Sequence, residues 1–144
     1  MILVHGTCVA IDGHAILLRG PSGRGKSDLA LRLIDGGAVL VADDQTRLER
    51  DGESLIASPP ATIAGLLEVR GLGLVRLEHL ERAPLELVID LAAPSEVERL
   101  PEANAAVELL GLAVRCLRLV PFEASASAKV RLAMRASTRD IMPP

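Results

Sequence analysis

The chain has 144 residues, nearly half of them hydrophobic, a formal net charge of −3 and a positive mean hydropathy. That describes one folded domain with a real core and excludes a disordered segment, a nucleic-acid binder built on a basic stripe and a chain with an apolar run long enough to cross a bilayer. The start, Met1-Ile2-Leu3-Val4-His5, lacks the basic beginning and long apolar centre of a secretory signal, so a cytoplasmic protein is expected.

Met1 to Ile11 alternates, is rich in β-branched residues and reads as a strand. Asp12-Gly13 is a hairpin turn, and His14 to Arg19 returns as a second strand. Gly20-Pro21-Ser22-Gly23-Arg24-Gly25-Lys26-Ser27 follows, and Asp28 to Ile34 opens a helix that Gly36-Gly37 closes. Ala38 to Ala42 is a short buried strand ending on Asp43-Asp44. Thr46 to Arg50 and Ser54 to Ala57, joined by Asp51-Gly52, form a hairpin that Ser58-Pro59-Pro60 breaks. Ile63 to Leu67 fits one helical turn or a loop, and Leu67 to Leu77 is a glycine-punctuated stretch leading into a strand. Leu85 to Leu91 is a buried strand, Ala92 to Asn104 a polar loop, Leu112 to Val120 a strand and Ala124 to Ser137 a helix. The expected architecture is a single mixed α/β domain over residues 1–144, rich in antiparallel pairing and without a regular series of βαβ units.

The chemistry begins at Gly20–Ser27. Strand, glycine-rich loop and helix in that order fit the phosphate-cradling pattern G-x-x-x-x-G-K-[ST]. The glycines let successive N–H groups turn inward on phosphate oxygens, and the helix N-terminus adds its positive end. Lys26 is of a length to reach the β- and γ-phosphates, and Ser27 offers a hydroxyl to Mg²⁺. Asp43-Asp44 comes sixteen residues after Ser27, at the end of a buried strand. Strand alternation sends two adjacent carboxylates to different sides. One can serve the metal or its waters, and the other can take a proton from an attacking hydroxyl.

Glu68 and Arg70 flank Gly71-Leu72-Gly73 and offer a second carboxylate for the metal and a guanidinium for phosphate charge; the same pair also fits a solvated strand face. By itself His5 reads as a structural histidine, and His14 and His79 have no motif around them. Cys8 and Cys116 are far apart and read as two buried, reduced thiols. Phe122 is the only aromatic residue, which leaves a nucleotide base almost no ring to stack on and predicts weak purine selectivity. Lys26 and Lys129 are the only lysines. Arg131, Arg135 and Arg139 share one face of the last helix, either to dock a partner protein or to favour that helix's own C-terminus.

His5-Gly6, Gly20 to Ser27, Val41-Ala42-Asp43-Asp44 and Leu67-Glu68-Val69-Arg70-Gly71-Leu72-Gly73-Leu74, in this order and at these intervals, resemble the catalytic domain of bacterial HPr kinase/phosphorylase. The E-[IV]-R-G-L-G stretch is that family's signature. The resemblance starts at residue 1, which implies a short form without the N-terminal domain of many members, like those of alphaproteobacteria. It implies a fold related to phosphoenolpyruvate carboxykinase and a hexamer.

It also implies Mg²⁺-dependent phosphorylation of a serine of the phosphocarrier HPr, with ATP, or in many members pyrophosphate, as donor, and a reverse phosphorolysis. Carried over by position, Lys26 and the loop hold the phosphates, and Ser27 and Glu68 lie at metal positions. Asp44 is the proton acceptor, with Asp43 supporting it or the metal. His5 matches a catalytic histidine, Arg70 belongs to the signature, and Arg99 matches a catalytic arginine of a D-R-L-G stretch.

One departure stands out. Where the family commonly carries the basic stretch V-R-P-G-R, this chain has Phe122-Glu123-Ala124-Ser125-Ala126 after Val120-Pro121, which predicts a kinase with weak or altered phosphorolysis. Two other readings fit the P-loop itself: a small-molecule kinase, and a nucleotide sensor without catalysis, although a sensor has no need of a base such as Asp44.

Overall fold

The computed structural model describes residues 1–100, 102 and 105–135. Along them run β1 (Ile2–His5), β2 (Thr7–Ile11), β3 (His14–Arg19), α1 (Lys26–Asp35), β4 (Val39–Ala42), β5 (Gln45–Asp51) and β6 (Ser54–Ser58). They continue with β7 (Leu66–Val69), β8 (Gly73–Arg76), β9 (Ala83–Leu91), β10 (Ala106–Leu109), β11 (Leu112–Leu119) and α2 (Ala126–Arg135), with single 3-10 turns at Ala61–Ile63 and Pro94–Glu96. The expected mixed α/β architecture is present.

The run Ala15-Ile16-Leu17-Leu18 shows no alternation because both faces of β3 are buried. Ile16 and Leu18 face Leu29, Ala30 and Leu33 of α1 and Val130 of α2. Ala15 and Leu17 face the other way, onto Leu48 and Leu55 of the β5–β6 hairpin. The main sheet therefore has helices on one side and its own curled continuation, β1, β5 and β6, on the other. Its strand order is β1-β5-β6-β9-β3-β2-β4, with β11 beside β9 and β10 outside β11. Pairing is antiparallel except at the centre, where β3 and β11 both run parallel to β9. These parallel strands lead to the phosphate-loop end of the sheet.

Three elements differ from expectation. Met1 to Ile11 is not one strand. It breaks at Gly6, with β1 pairing β5 and β2 pairing β3 and β4. A Cβ on Gly6 would lie 2.8 Å from the Leu18 carbonyl oxygen and 2.9 Å from the Leu17 side chain, so only glycine lets the chain cross at this point. The stretch around Gly71 is a complete hairpin, β7–β8, that forms a separate two-stranded sheet and packs Leu67 and Val69 against Leu40. β10 is an additional strand, paired antiparallel with β11. Among the described residues, no helix is long and apolar enough to cross a membrane.

Candidate active site

The phosphate loop joins β3 to α1 as the sequence predicts. Gly23 and Gly25 hold φ of 82° and 90°, the left-handed region that favours glycine. Gly25 is the N-cap of α1 and has no side chain to cap the first-turn amides, which leaves that helix end suited to an anion. Lys26 is buried, and its Nζ donates to the carbonyls of Gly20 (2.6 Å) and Pro21 (3.2 Å), folded against its own loop. Arg24 turns outward, 3.6 Å from Glu96.

Asp43 is only 7% exposed, and three donors converge on it. The Ser27 hydroxyl donates to Oδ1 at 2.7 Å, the Thr7 hydroxyl to the same oxygen at 2.9 Å, and the Glu68 N–H to Oδ2 at 3.0 Å. One carboxylate thereby ties α1, β2 and β7 together. Asp44 is its opposite, with two-thirds of its side chain exposed. Its φ of 66° is a conformation aspartate tolerates better than most residues, and it turns the carboxylate away from Asp43. The turn is held on all sides. The Asp44 N–H donates to Thr7 Oγ1 (3.1 Å), its carbonyl accepts from the Gly6 N–H (2.8 Å), and the Gln45 N–H donates to the Asp43 carbonyl (2.7 Å). His5 Nε2 lies 3.0 Å from Asp44 Oδ1.

These groups surround a cleft of about 440 Å³ lined by Ser22, Gly23, Gly25, Lys26, Ser27, Asp28, Asp44, Glu68, Val69, Arg70 and Phe122. Glu68 reaches it from the outward face of β7, while Leu67 and Val69 on either side point into the core. Arg70 reaches it from the β7–β8 turn, where Gly71 has φ of 91°. Of the residues singled out from sequence, the structure thus gathers His5, Lys26, Ser27, Asp43, Asp44, Glu68 and Arg70 at one cleft. Gly20 and Pro21 contribute through their carbonyls. Arg99 stays exposed on the segment after β9 and does not line the cleft.

Two contributors carried no signal as site residues. Thr7 read as a strand residue, yet its hydroxyl joins Asp43 to the Asp44 backbone. Phe122, as the only aromatic residue, leaves a base almost no ring to stack on, yet that one ring lies against Gly25 at the cleft wall.

Among the described residues, no three His, Cys, Asp or Glu side chains come together as a metal site. The groups present do suit Mg²⁺ shared with a phosphate ligand, which takes few protein ligands. Ser27 is held by Asp43, and the exposed Glu68 carboxylate faces the same cleft.

The family model described as HPr Serine kinase C-terminal domain matches residues 1–136. The chain belongs to that family. It is 38% identical over 127 residues to HPr kinase/phosphorylase of Bordetella pertussis, covering 81% of this chain and 41% of that protein. It is 36% identical over 124 residues to the protein of the same name from Caldicellulosiruptor bescii, covering 78% and 40%. The counterpart in Cupriavidus metallidurans is 34% identical over 149 aligned residues, covering 96% and 45%. The chain thus spans about two-fifths of the length of the curated relatives it matches. The fold matches the structure of the Hpr(Ser) kinase/phosphatase from Coxiella burnetii with a TM-score of 0.82 and 24% identity, over 94% of this chain and 89% of that one.

One arginine of α2 has a structural use. Arg131 Nη2 donates to the carbonyls of Arg32 (3.0 Å) and Leu33 (3.2 Å), in the last turn of α1. Arg135 is exposed at the end of α2, and Arg139 lies outside the described residues. Of the thiols, Cys8 is fully buried, which pushes its pKa up, and Cys116 is half-buried. Burial, and then the charge of Asp90, push the Cys116 pKa up to about 11. Both thiols therefore stay protonated at neutral pH and are poor nucleophiles.

Proposed function

We propose that this domain transfers the γ-phosphoryl group of ATP to a serine of the phosphocarrier HPr. The observation that carries this reading is the pairing of an exposed carboxylate, Asp44, with His5 at the mouth of a phosphate-loop cleft. The phosphates would lie on the loop amides and the N-terminus of α1, with Lys26 turning from its loop carbonyls to the β- and γ-phosphates. Ser27 and Glu68 would hold Mg²⁺, which supplies charge neutralisation for the β- and γ-phosphates when bound. Asp43 would act on Ser27 from behind, since both of its oxygens already accept protein hydrogen bonds.

Asp44 accepts the proton of the serine hydroxyl as its oxygen bonds to the γ-phosphorus, and the bond from that phosphorus to the ADP oxygen breaks. His5 orients the Asp44 carboxylate. Arg70 faces the transferring group from the hairpin turn and offers charge to its oxygens. The segment after Val120 favours the forward reaction. It offers Phe122 and Glu123 where a guanidinium would welcome inorganic phosphate, and Glu123 is itself paired with Lys129 at 2.8 Å.

Asp44→Asn tests the reading. It should keep donor affinity and lose at least about a hundredfold in transfer to HPr, the low end for a general base. Full activity in that variant would remove Asp44 as the base. Phosphorolysis of phosphoserine-HPr by inorganic phosphate, run beside the forward assay, should be much the slower of the two.

A further inference from the structure

Phe122 is the one aromatic side chain in the chain, and it is 66% exposed. A ring left in water on a loop contributes little to folding, yet its position is closely set. Gly25, the last glycine of the phosphate loop, is the residue it lies on. A Cβ there would sit 2.9 Å from the ring Cζ and 3.0 Å from Cε1, so the ring occupies the space that a side chain at 25 would need. The backbone on both sides of Phe122 is anchored from α1. The Arg32 guanidinium donates to the Pro121 carbonyl and, at 3.2 Å, to the Glu123 carbonyl. Asp28, itself a wall of the cleft, holds Arg32 at 3.1 Å.

Apart from Val69, the other side chains at the cleft are polar or charged. The face of an aromatic ring carries the negative part of its quadrupole and gains nothing from a phosphate. The part of a donor that can use it is flat and uncharged, which is the base of a nucleotide.

We propose that Phe122 is a stacking platform for a nucleotide base and makes the cleft select a nucleoside di- or triphosphate over an inorganic polyphosphate. This rests on the reading of the cleft as a phosphate-donor site. The sequence leaves a base almost no ring to stack on, yet a single ring suffices when it lies beside the phosphate loop. Stacking on one face does not by itself distinguish adenine from guanine.

The test compares Mg-ADP with Mg-pyrophosphate, which share a diphosphate and differ by the nucleoside. Binding of each to the whole protein is measured by calorimetry. Phe122→Ala and Phe122→Leu should each weaken ADP about tenfold or more and leave pyrophosphate unchanged. The leucine variant keeps apolar bulk on the loop and so separates stacking from simple filling of space. Phe122→Trp supplies the only indole in the chain, which has no Trp or Tyr. Its emission should be quenched by ADP and not by pyrophosphate. Equal losses for both ligands, an ADP affinity that leucine preserves, or equal quenching by both would overturn the platform and leave the donor site standing. A wild-type protein that binds neither ligand would overturn the donor site and the platform together.

Discussion

Thr7 has one hydroxyl proton and two lone pairs, and it uses them on the two residues that matter most. It donates to Asp43 Oδ1 and accepts the N–H of Asp44. It is fully buried, so neither bond has water as a substitute. A left-handed φ at a non-glycine residue costs on the order of 1 kcal/mol, and the bonds to Asp44 offset that cost. Thr7→Val keeps the shape and removes the hydroxyl. It should destabilise the domain by about 1–3 kcal/mol and, by loosening Asp44, lower kcat of the proposed transfer by about tenfold or more with donor KM little changed. Thr7→Ser keeps the hydroxyl and should recover most of the kcat. A purely structural Thr7 would instead show equal kcat for the valine and serine variants once both are folded.

Residue identity in the site was legible wherever the chemistry is local. The phosphate loop needs its glycines, lysine and serine in one unbroken stretch, and Asp43-Asp44 advertises itself by ending an apolar run. Thr7 was not legible, because a threonine in a strand looks like any β-former until the fold brings Asp43 beside it.

At the scale of elements the same division holds, and two turns make it concrete. Asp12-Gly13 has φ values of 51° and 80°, and Leu110-Gly111 has 49° and 81°. Both join adjacent antiparallel strands, β2 to β3 and β10 to β11. The first is a residue pair that favours positive φ and announces its hairpin. The second puts leucine where its Cβ is strained, so it gives no signal, and β10 escapes a reading by pattern. Leu110 is held there by packing on the core beneath the sheet, which is a tertiary gain that no local rule contains. The break at Gly6 is of this kind too, since alternation runs on through it and only the approach of β3 explains it.

The contact between α1 and α2 supports a prediction of its own. Arg131 places a cation on the last-turn carbonyls of α1, where a helix dipole favours positive charge. Gly36 leaves the room, because a Cβ at 36 would overlap the guanidinium. Arg131→Gln should lower stability by about 1 kcal/mol. Gly36→Ala displaces the same guanidinium but also restricts the unfolded chain, so it should cost less, and the double variant should lose less than the sum, as neighbours sharing one contact do. Thermal melts of the four proteins read this directly. Donor affinity should be unchanged, whereas a docking role for Arg131 would show as weaker HPr binding with an unshifted melt.

For the whole molecule, the decisive junction is where β3, β9 and β11 finish side by side under the phosphate loop. Arg19, the last residue of β3, stands opposite Asp90 of β9, and Asp90 stands opposite Arg118 of β11. Arg19 grips Asp90 with two bonds, Nε to Oδ1 at 2.8 Å and Nη2 to Oδ2 at 3.0 Å, and the Cys116 thiol donates to Oδ2 at 3.4 Å. Partial burial raises the Asp90 pKa, but the bond and charge of Arg19 outweigh it, so the carboxyl is held below its ordinary value. The Arg19 pKa is raised, first by its bond to Asp90.

For an acid whose pKa falls on folding, the contribution to stability is complete above the unfolded value, about 3.9. It disappears as pH drops through the folded value. The wild-type urea midpoint should therefore fall as pH is lowered from about 5 toward 3. Asp90→Asn should start from a lower midpoint at pH 7 and fall less steeply over the same window. Parallel pH curves for the two proteins would mean that Asp90 does not titrate with folding. Because Gly20 begins one residue after Arg19, the same variant should also loosen the loop. For the proposed transfer, its donor KM should rise at pH 7 under conditions where the protein is still folded, linking the charge pair that closes the sheet to the proposed phosphate site beside it.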